Sequence, residues 1–128
     1  NFWICDIEYG GVSYKSAEHA YQAAKTFDRT WAYAIKNANT PAKAKFLGGR
    51  SPVREDWNEI KLDVMTDIVC SKFTNSALAA KLIATGNKVL IEGNTWGDEY
   101  WGVCDGKGKN YLGILLMELR THLMNKNN

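Results

Sequence analysis

The chain has 128 residues and a net charge of +2 spread over a mixed background of both signs. That length can bury one core without a disulfide or a metal, and a near-neutral balance argues against a general nucleic-acid-binding surface, which needs a strongly basic face. No apolar run is long enough to cross a bilayer and no signal-peptide pattern opens the chain. The cysteines (Cys5, Cys70 and Cys104) are odd in number and widely spaced. They fit reduced thiols in a cytoplasm better than a disulfide framework. His19 and His122 lack paired metal-ligand spacing, so neither a metal nor another cofactor is expected. Asn1 is not an initiator methionine, and upstream residues are expected outside this sequence.

Residues 2 to 14 alternate apolar and polar positions around Gly10-Gly11 and predict a short hairpin. Ser16 is placed to cap a helix carrying Ala17, Ala20, Tyr21, Ala24 and Phe27 at helical spacing. A second helix is expected over Arg29 to Asn37, and a third from Thr40-Pro41, ended by Gly48-Gly49. The longest helix follows Ser51-Pro52, with Trp57, Ile60, Val64, Ile68 and Phe73 as its apolar stripe. Ser76 to Thr85 predicts another helix, Lys88 to Glu92 a buried strand, and Tyr111 to Met124 a buried C-terminal helix. With no repeat or linker, the elements predict one α+β domain over residues 1 to 128, mainly helical, with a small β-sheet.

Two regions offer chemistry. Gly106-Lys107-Gly108-Lys109 runs into Asn110, a good N-cap, at the start of the last helix. Small residues admit a ligand and free amides at a helix start attract anions. With Trp101 just upstream, the stretch suits a phosphorylated ligand whose flat part stacks on an indole. It lacks the residue order of a nucleotide-binding P-loop, and a solvated lysine loop reads the same way. On the Ser16 helix, Glu18, Gln22 and Lys25 share one polar face. Spacing alone favours a solvated face over a carboxylate, amide and ammonium aimed into a cleft. Trp57 at its helix start reads first as a core residue and second as a ligand platform. Asp98 lies in the EGNTWGDEYW loop, and two carboxylates from separate elements, such as Glu18 and Asp98, are what glycosidic hydrolysis requires.

Taken together, SAEHAYQAAKTF (Ser16 to Phe27), the Arg54-to-Trp57 helix start, DEYWG (Asp98 to Gly102) and GKGKNYLGILLMELR (Gly106 to Arg120) resemble the NADAR family of YbiA-like N-glycosidases. The family's early Ser-Asn-Phe element appears here as Asn1-Phe2. The resemblance implies an enzyme that hydrolyses the N-glycosidic bond between ribose and a nitrogenous base. Its substrate would be either a phosphorylated riboflavin-pathway intermediate or ADP-ribose on guanine in DNA or RNA. By the same resemblance Glu18 and Asp98 are the catalytic carboxylates, and Lys25 acts either as an electrophile that traps the opened sugar or as a counter-charge. Trp57, Trp101, Gly102, Lys107, Lys109, Asn110 and Gly113 would contact substrate, with Asn1 and Phe2 at the rim. A non-catalytic ADP-ribose or nucleotide-binding module is the competing reading. Gel-shift assays with unmodified DNA and RNA are expected to be nearly blank; firm retardation at physiological salt would contradict the charge argument.

Overall fold

The computed structural model describes residues 2–94 and 96–126. Backbone contacts divide the chain into two compact units, Asn1–Lys72 and Phe73–Asn128. Among the described residues there are six helices and one two-stranded sheet, the mainly helical α+β arrangement the sequence predicts.

The first unit opens with an antiparallel hairpin of β1 (Ile4–Tyr9) and β2 (Val12–Ser16). Gly10 and Gly11 turn it at φ of 58° and 78°, the left-handed pair that a tight hairpin turn demands. One extra residue between Ile4 and Ile7 bulges β1, and Ile7 is fully buried. Helix α1 (Ala17–Ala24) follows at once. Ser16 Oγ accepts from the His19 amide at 3.1 Å. The buried His19 ring has Nε2 3.0 Å from the Ala38 carbonyl, which can only accept, so the ring proton belongs there. Nδ1 then accepts from the Ser16 hydroxyl at 2.7 Å. His19 is thus a structural bridge from the cap of α1 to the end of the next helix.

That next helix, α2 (Arg29–Lys36), is capped by Asp28, and α3 (Pro41–Arg50) by Thr40 with Pro41 in its first turn. Ala23, Ile35, Ala38 and Ala44 form a small-residue core flanked by Tyr14 and Leu47. The long helix α4 (Trp57–Lys72) buries Trp57, Val64, Met65, Ile68 and Val69. The predicted stripe is therefore present, except that Phe73 lies beyond the helix end. Helix α1 sits centrally and packs against the hairpin, α2, α3 and α4.

Gly48-Gly49 does not end the third helix as expected; both glycines lie inside α3, which runs on to Arg50. The reason is packing rather than punctuation. A Cβ on Gly48 would overlap the Gln22 side chain of α1, whereas a Cβ on Gly49 would meet nothing. The helix stops where Ser51, extended at φ −74° and ψ 154°, precedes Pro52.

In the second unit, α5 (Ser76–Ile83) is capped by Asn75 and packs on α6 (Tyr111–Lys126). The buried Arg120 donates from Nη1 to Thr85 Oγ1 and to the Lys88 carbonyl, each at 2.8 Å, tying α6 to the exit of α5. Two expectations fail here. Lys88 to Glu92 is neither a strand nor buried: Val89 and Ile91 are 73% and 60% exposed. The Asn110 side chain takes the place of a neighbouring strand, donating to the Leu90 carbonyl and accepting from the Glu92 amide, both at 2.9 Å. The only ladder contact nearby among the described residues is a single bridge from Gly93 to Val103. Helix α6 is not buried around its circumference either. Only Leu112, Gly113 and Arg120 are buried, because within its unit one helix covers one side of it.

The two adjacent glycines of α3 give a paired prediction. Gly49→Ala should raise stability by up to about 1 kcal/mol through helix propensity. Gly48→Ala should lower it by about 1–3 kcal/mol through overpacking against Gln22. Denaturant unfolding of the two variants checks the opposite signs.

Candidate functional site

Helix α1 brings Glu18 and Gln22 one turn apart, and both are buried, at 7% and 4% exposure. The solvated-face reading of this helix is therefore wrong. Gln22 Nε2 donates to Glu18 Oε1 at 2.8 Å, while Gln22 Oε1 is buried without a hydrogen-bond partner among the described residues. Lys25 caps the same helix and is half-buried. Its Nζ stands 5.6 Å over the Tyr21 ring, and that ring lies 5.1 Å from Trp57 at a 60° tilt. Burial pushes the Lys25 pKa down; Glu18 opposes this, and the ammonium groups of Lys45 and Lys61 add to it. Trp57 itself is buried against Tyr21 and braces that ring instead of offering a bare face. Phe2 is half-exposed, with Lys45 Nζ 5.8 Å from its ring. Asn1 lies outside the described residues.

Just past Lys25 an open concavity of about 410 Å³ is lined by Thr26, Phe27, Asp28 and residues 52–56. The Arg54 amide donates to the Lys25 carbonyl at 2.9 Å. The Arg54 guanidinium stacks 4.1 Å from the Phe27 ring and grips Asp56 through Nε and Nη2 at 2.6 and 2.9 Å. None of the residues expected to contact substrate lines this concavity.

The remaining expected residues lie in the second unit. Asp98 and Asn94 clasp each other: the Asp98 amide donates to Asn94 Oδ1 at 2.9 Å, and Asn94 Nδ2 donates to the Asp98 carbonyl at 2.8 Å. Asp98 Oδ1 also accepts from the amides of Tyr100 and Trp101, at 3.1 and 2.9 Å. Its carboxylate thus orders the turn that carries Trp101. Tyr100 stacks edge-on against both Trp101 and Tyr111, with centroids 4.7 Å apart in each case. Gly102 and Gly113 are buried close approaches: a Cβ on the first would overlap the Glu92 carbonyl, and one on the second would overlap Asn110 and the Leu90 carbonyl.

The free amides expected at the start of the last helix are not found. The amides of Lys109, Asn110, Tyr111 and Leu112 already donate to the carbonyls of Glu99, Gly102, Tyr100 and Trp101, at 2.7, 3.3, 3.1 and 3.0 Å. They are not free for an anion. Asn110, at φ 54°, gives α6 its first carbonyl but spends its side chain on Leu90 and Glu92. Residues Cys104 to Lys107 close a tight turn on Asp105 and Gly106, at φ of 52° and 75°. Lys107 and Lys109 are exposed, Lys109 with its Nζ 5.7 Å from the Tyr111 ring.

This chain matches the family model of the NADAR domain over residues 2–124. The chain belongs to the NADAR family. Against N-glycosidase YbiA of Shigella boydii it is 40% identical over 127 residues, covering 96% of this chain and 79% of that protein. A riboflavin biosynthesis protein of Vibrio vulnificus is 39% identical over 96% of this chain, which spans 34% of that protein. The NMR structure of Escherichia coli YbiA superposes with a TM-score of 0.87 at 37% identity, covering 99% of this chain and 77% of that one. The family and fold read from the sequence are borne out. No helix among the described residues is long and apolar enough to cross a membrane.

For this NADAR chain, sequence reasoning missed Tyr21, Lys45, Lys61 and Asn94. The lysines carry no local pattern, but Asn94 stood in plain sight as an amide four residues before Asp98. Removing the Glu18 charge should lower the Lys25 titration midpoint further, since Glu18 is the group that holds it up. A ¹³C-NMR titration of the lysine Cε signals in the wild type and in Glu18→Gln measures this, and an upward move would overturn the pairing.

Proposed function

We propose that this NADAR chain is a hydrolase that cleaves the N-glycosidic bond between a phosphorylated ribose and a nitrogenous base. The observation that carries the reading is the buried Glu18 carboxylate, fixed by the Gln22 amide and balanced by the half-buried Lys25. An oxocarbenium-like sugar needs a fixed negative charge beside its anomeric carbon, and a preorganised carboxylate supplies it without reorganisation. Glu18 is assigned that role. Asp98 is assigned as the second carboxylate by its place in the DEYWG motif, with Oδ1 committed to the turn amides and Oδ2 left for proton transfer.

Lys25 is assigned as the counter-charge in the resting site. The desolvation that lowers its pKa also enlarges its neutral-amine fraction. Addition of that amine to C1 of an opened sugar, with loss of water, would give an imine. Borohydride trapping of a sugar adduct on Lys25 during turnover distinguishes the electrophilic role from the counter-charge.

The substrate class favoured is a small ribosylamino-pyrimidine phosphate, in line with the riboflavin biosynthesis name of the Vibrio vulnificus relative. An activity panel offering such intermediates beside ADP-ribosyl-guanine DNA, with mass-spectrometric detection of free base, decides between them. On the active substrate, Glu18→Gln should cut kcat by roughly 10²–10⁴-fold. Asp98→Asn keeps an acceptor for the Tyr100 and Trp101 amides while removing the charge. It should retain the wild-type melting temperature and still lose most turnover. Wild-type kcat in the Gln variant would falsify the Glu18 assignment; tight binding of ADP-ribose with no base released in any arm would favour the binding module.

A further inference from the structure

Position 22 of α1 faces the interior, and packing alone would be met there by an apolar side chain of the same length. The chain places an amide instead, and uses only half of it. Nε2 donates to Glu18 Oε1 at 2.8 Å, while Oε1 is buried without a hydrogen-bond partner among the described residues. A buried acceptor left unpaired is costly, so an amide kept at such a position does something that an apolar residue cannot.

The unpaired oxygen is not relieved by rotation. A carboxylate only accepts, so turning the amide over would set Gln22 Oε1 against Glu18 Oε1, oxygen to oxygen. Movement of the whole side chain is limited by α3. A Cβ on Gly48 would overlap Gln22 Oε1 and would also crowd its Cδ and Cβ, at 2.7 and 2.9 Å. The backbone of α3 at Gly48 therefore walls the amide on one side, and Glu18 holds it on the other.

We propose that Gln22 and Gly48 form a positioning pair for Glu18: Gly48 lets α3 close on the amide, and the amide holds the carboxylate in one orientation. That this carboxylate faces the sugar rests on the glycosidase reading; that the pair fixes it does not. Gln22 and Gly48 act on turnover through Glu18 alone. Lys25, at the C-terminal end of α1, reports where that carboxylate is. The Glu18 charge holds its titration midpoint up, against desolvation and the ammonium groups of Lys45 and Lys61.

Gln22→Met nearly conserves volume and removes both the donor and the unpaired oxygen. It should keep or raise the melting temperature, which a purely structural hydrogen bond would not allow. In a ¹³C-NMR titration of the lysine Cε signals, the Lys25 midpoint should fall as the released carboxylate moves away. On a substrate that the wild type turns over, kcat should drop roughly 10–100-fold with KM little changed. Gly48→Ala, which displaces the amide without deleting it, should lower the Lys25 midpoint as well. Gly49→Ala, where an added Cβ meets nothing, should leave the midpoint at the wild-type value. An unchanged or raised Lys25 midpoint in Gln22→Met overturns the proposal, as does a lowered melting temperature with kcat unchanged. A midpoint moved by Gln22→Met but not by Gly48→Ala overturns the pair. If both variants lower the midpoint and the wild type releases base from no substrate, the glycosidase reading fails and the positioning pair stands.

Discussion

The first unit is organised around one hydrogen bond, from Gln22 Nε2 to Glu18 Oε1 at 2.8 Å, inside its central helix. A buried carboxylate is costly unless its lost hydration is replaced. Here the Gln22 amide supplies a hydrogen bond, and the charge of Lys25 acts through space. Gln22 is then fixed, and its own oxygen is left facing α3 without a donor. Only a residue without a side chain can pass that point, which is why Gly48 stands in mid-helix despite the propensity cost of about 1 kcal/mol. The close approach it permits sets the position of Lys45. By the same logic the Tyr21–Trp57 contact sets the start of α4 and, one turn on, Lys61.

What was legible in the sequence follows from which signals are local. Caps at Ser16, Asp28, Thr40 and Asn75 act over a few residues and mark helix starts correctly. The Gly10-Gly11 turn fixed the hairpin for the same reason. Gly48-Gly49 misled because a helix stop and a tight helix crossing use the same residue, and only the partner, Gln22, tells them apart. Lys88 to Glu92 misled because its apolar run resembles a buried strand, while its hydrogen bonds are met by one side chain, Asn110, from far along the chain. Asp105-Gly106 was a readable turn signal, but the two lysines that follow it drew the reading toward a phosphate loop. Glu18 and Lys25 were singled out through their motif. Burial, which decides that they are not a solvated pair, was not.

The two units satisfy their polar groups in opposite ways. In the second, the Asn94–Asp98 clasp, the Asp98–amide contacts and the bonds of the Lys109 to Leu112 amides pair these donors with a neighbouring side chain or carbonyl. The Lys109 to Leu112 amides are therefore not free for an anion. In the first, α1 carries a buried polar atom, Gln22 Oε1, without a hydrogen-bond partner among the described residues. Unsatisfied buried polarity is expensive, and natural folds retain it chiefly where a ligand completes it. The chemistry is therefore better sought on α1 than at the start of α6.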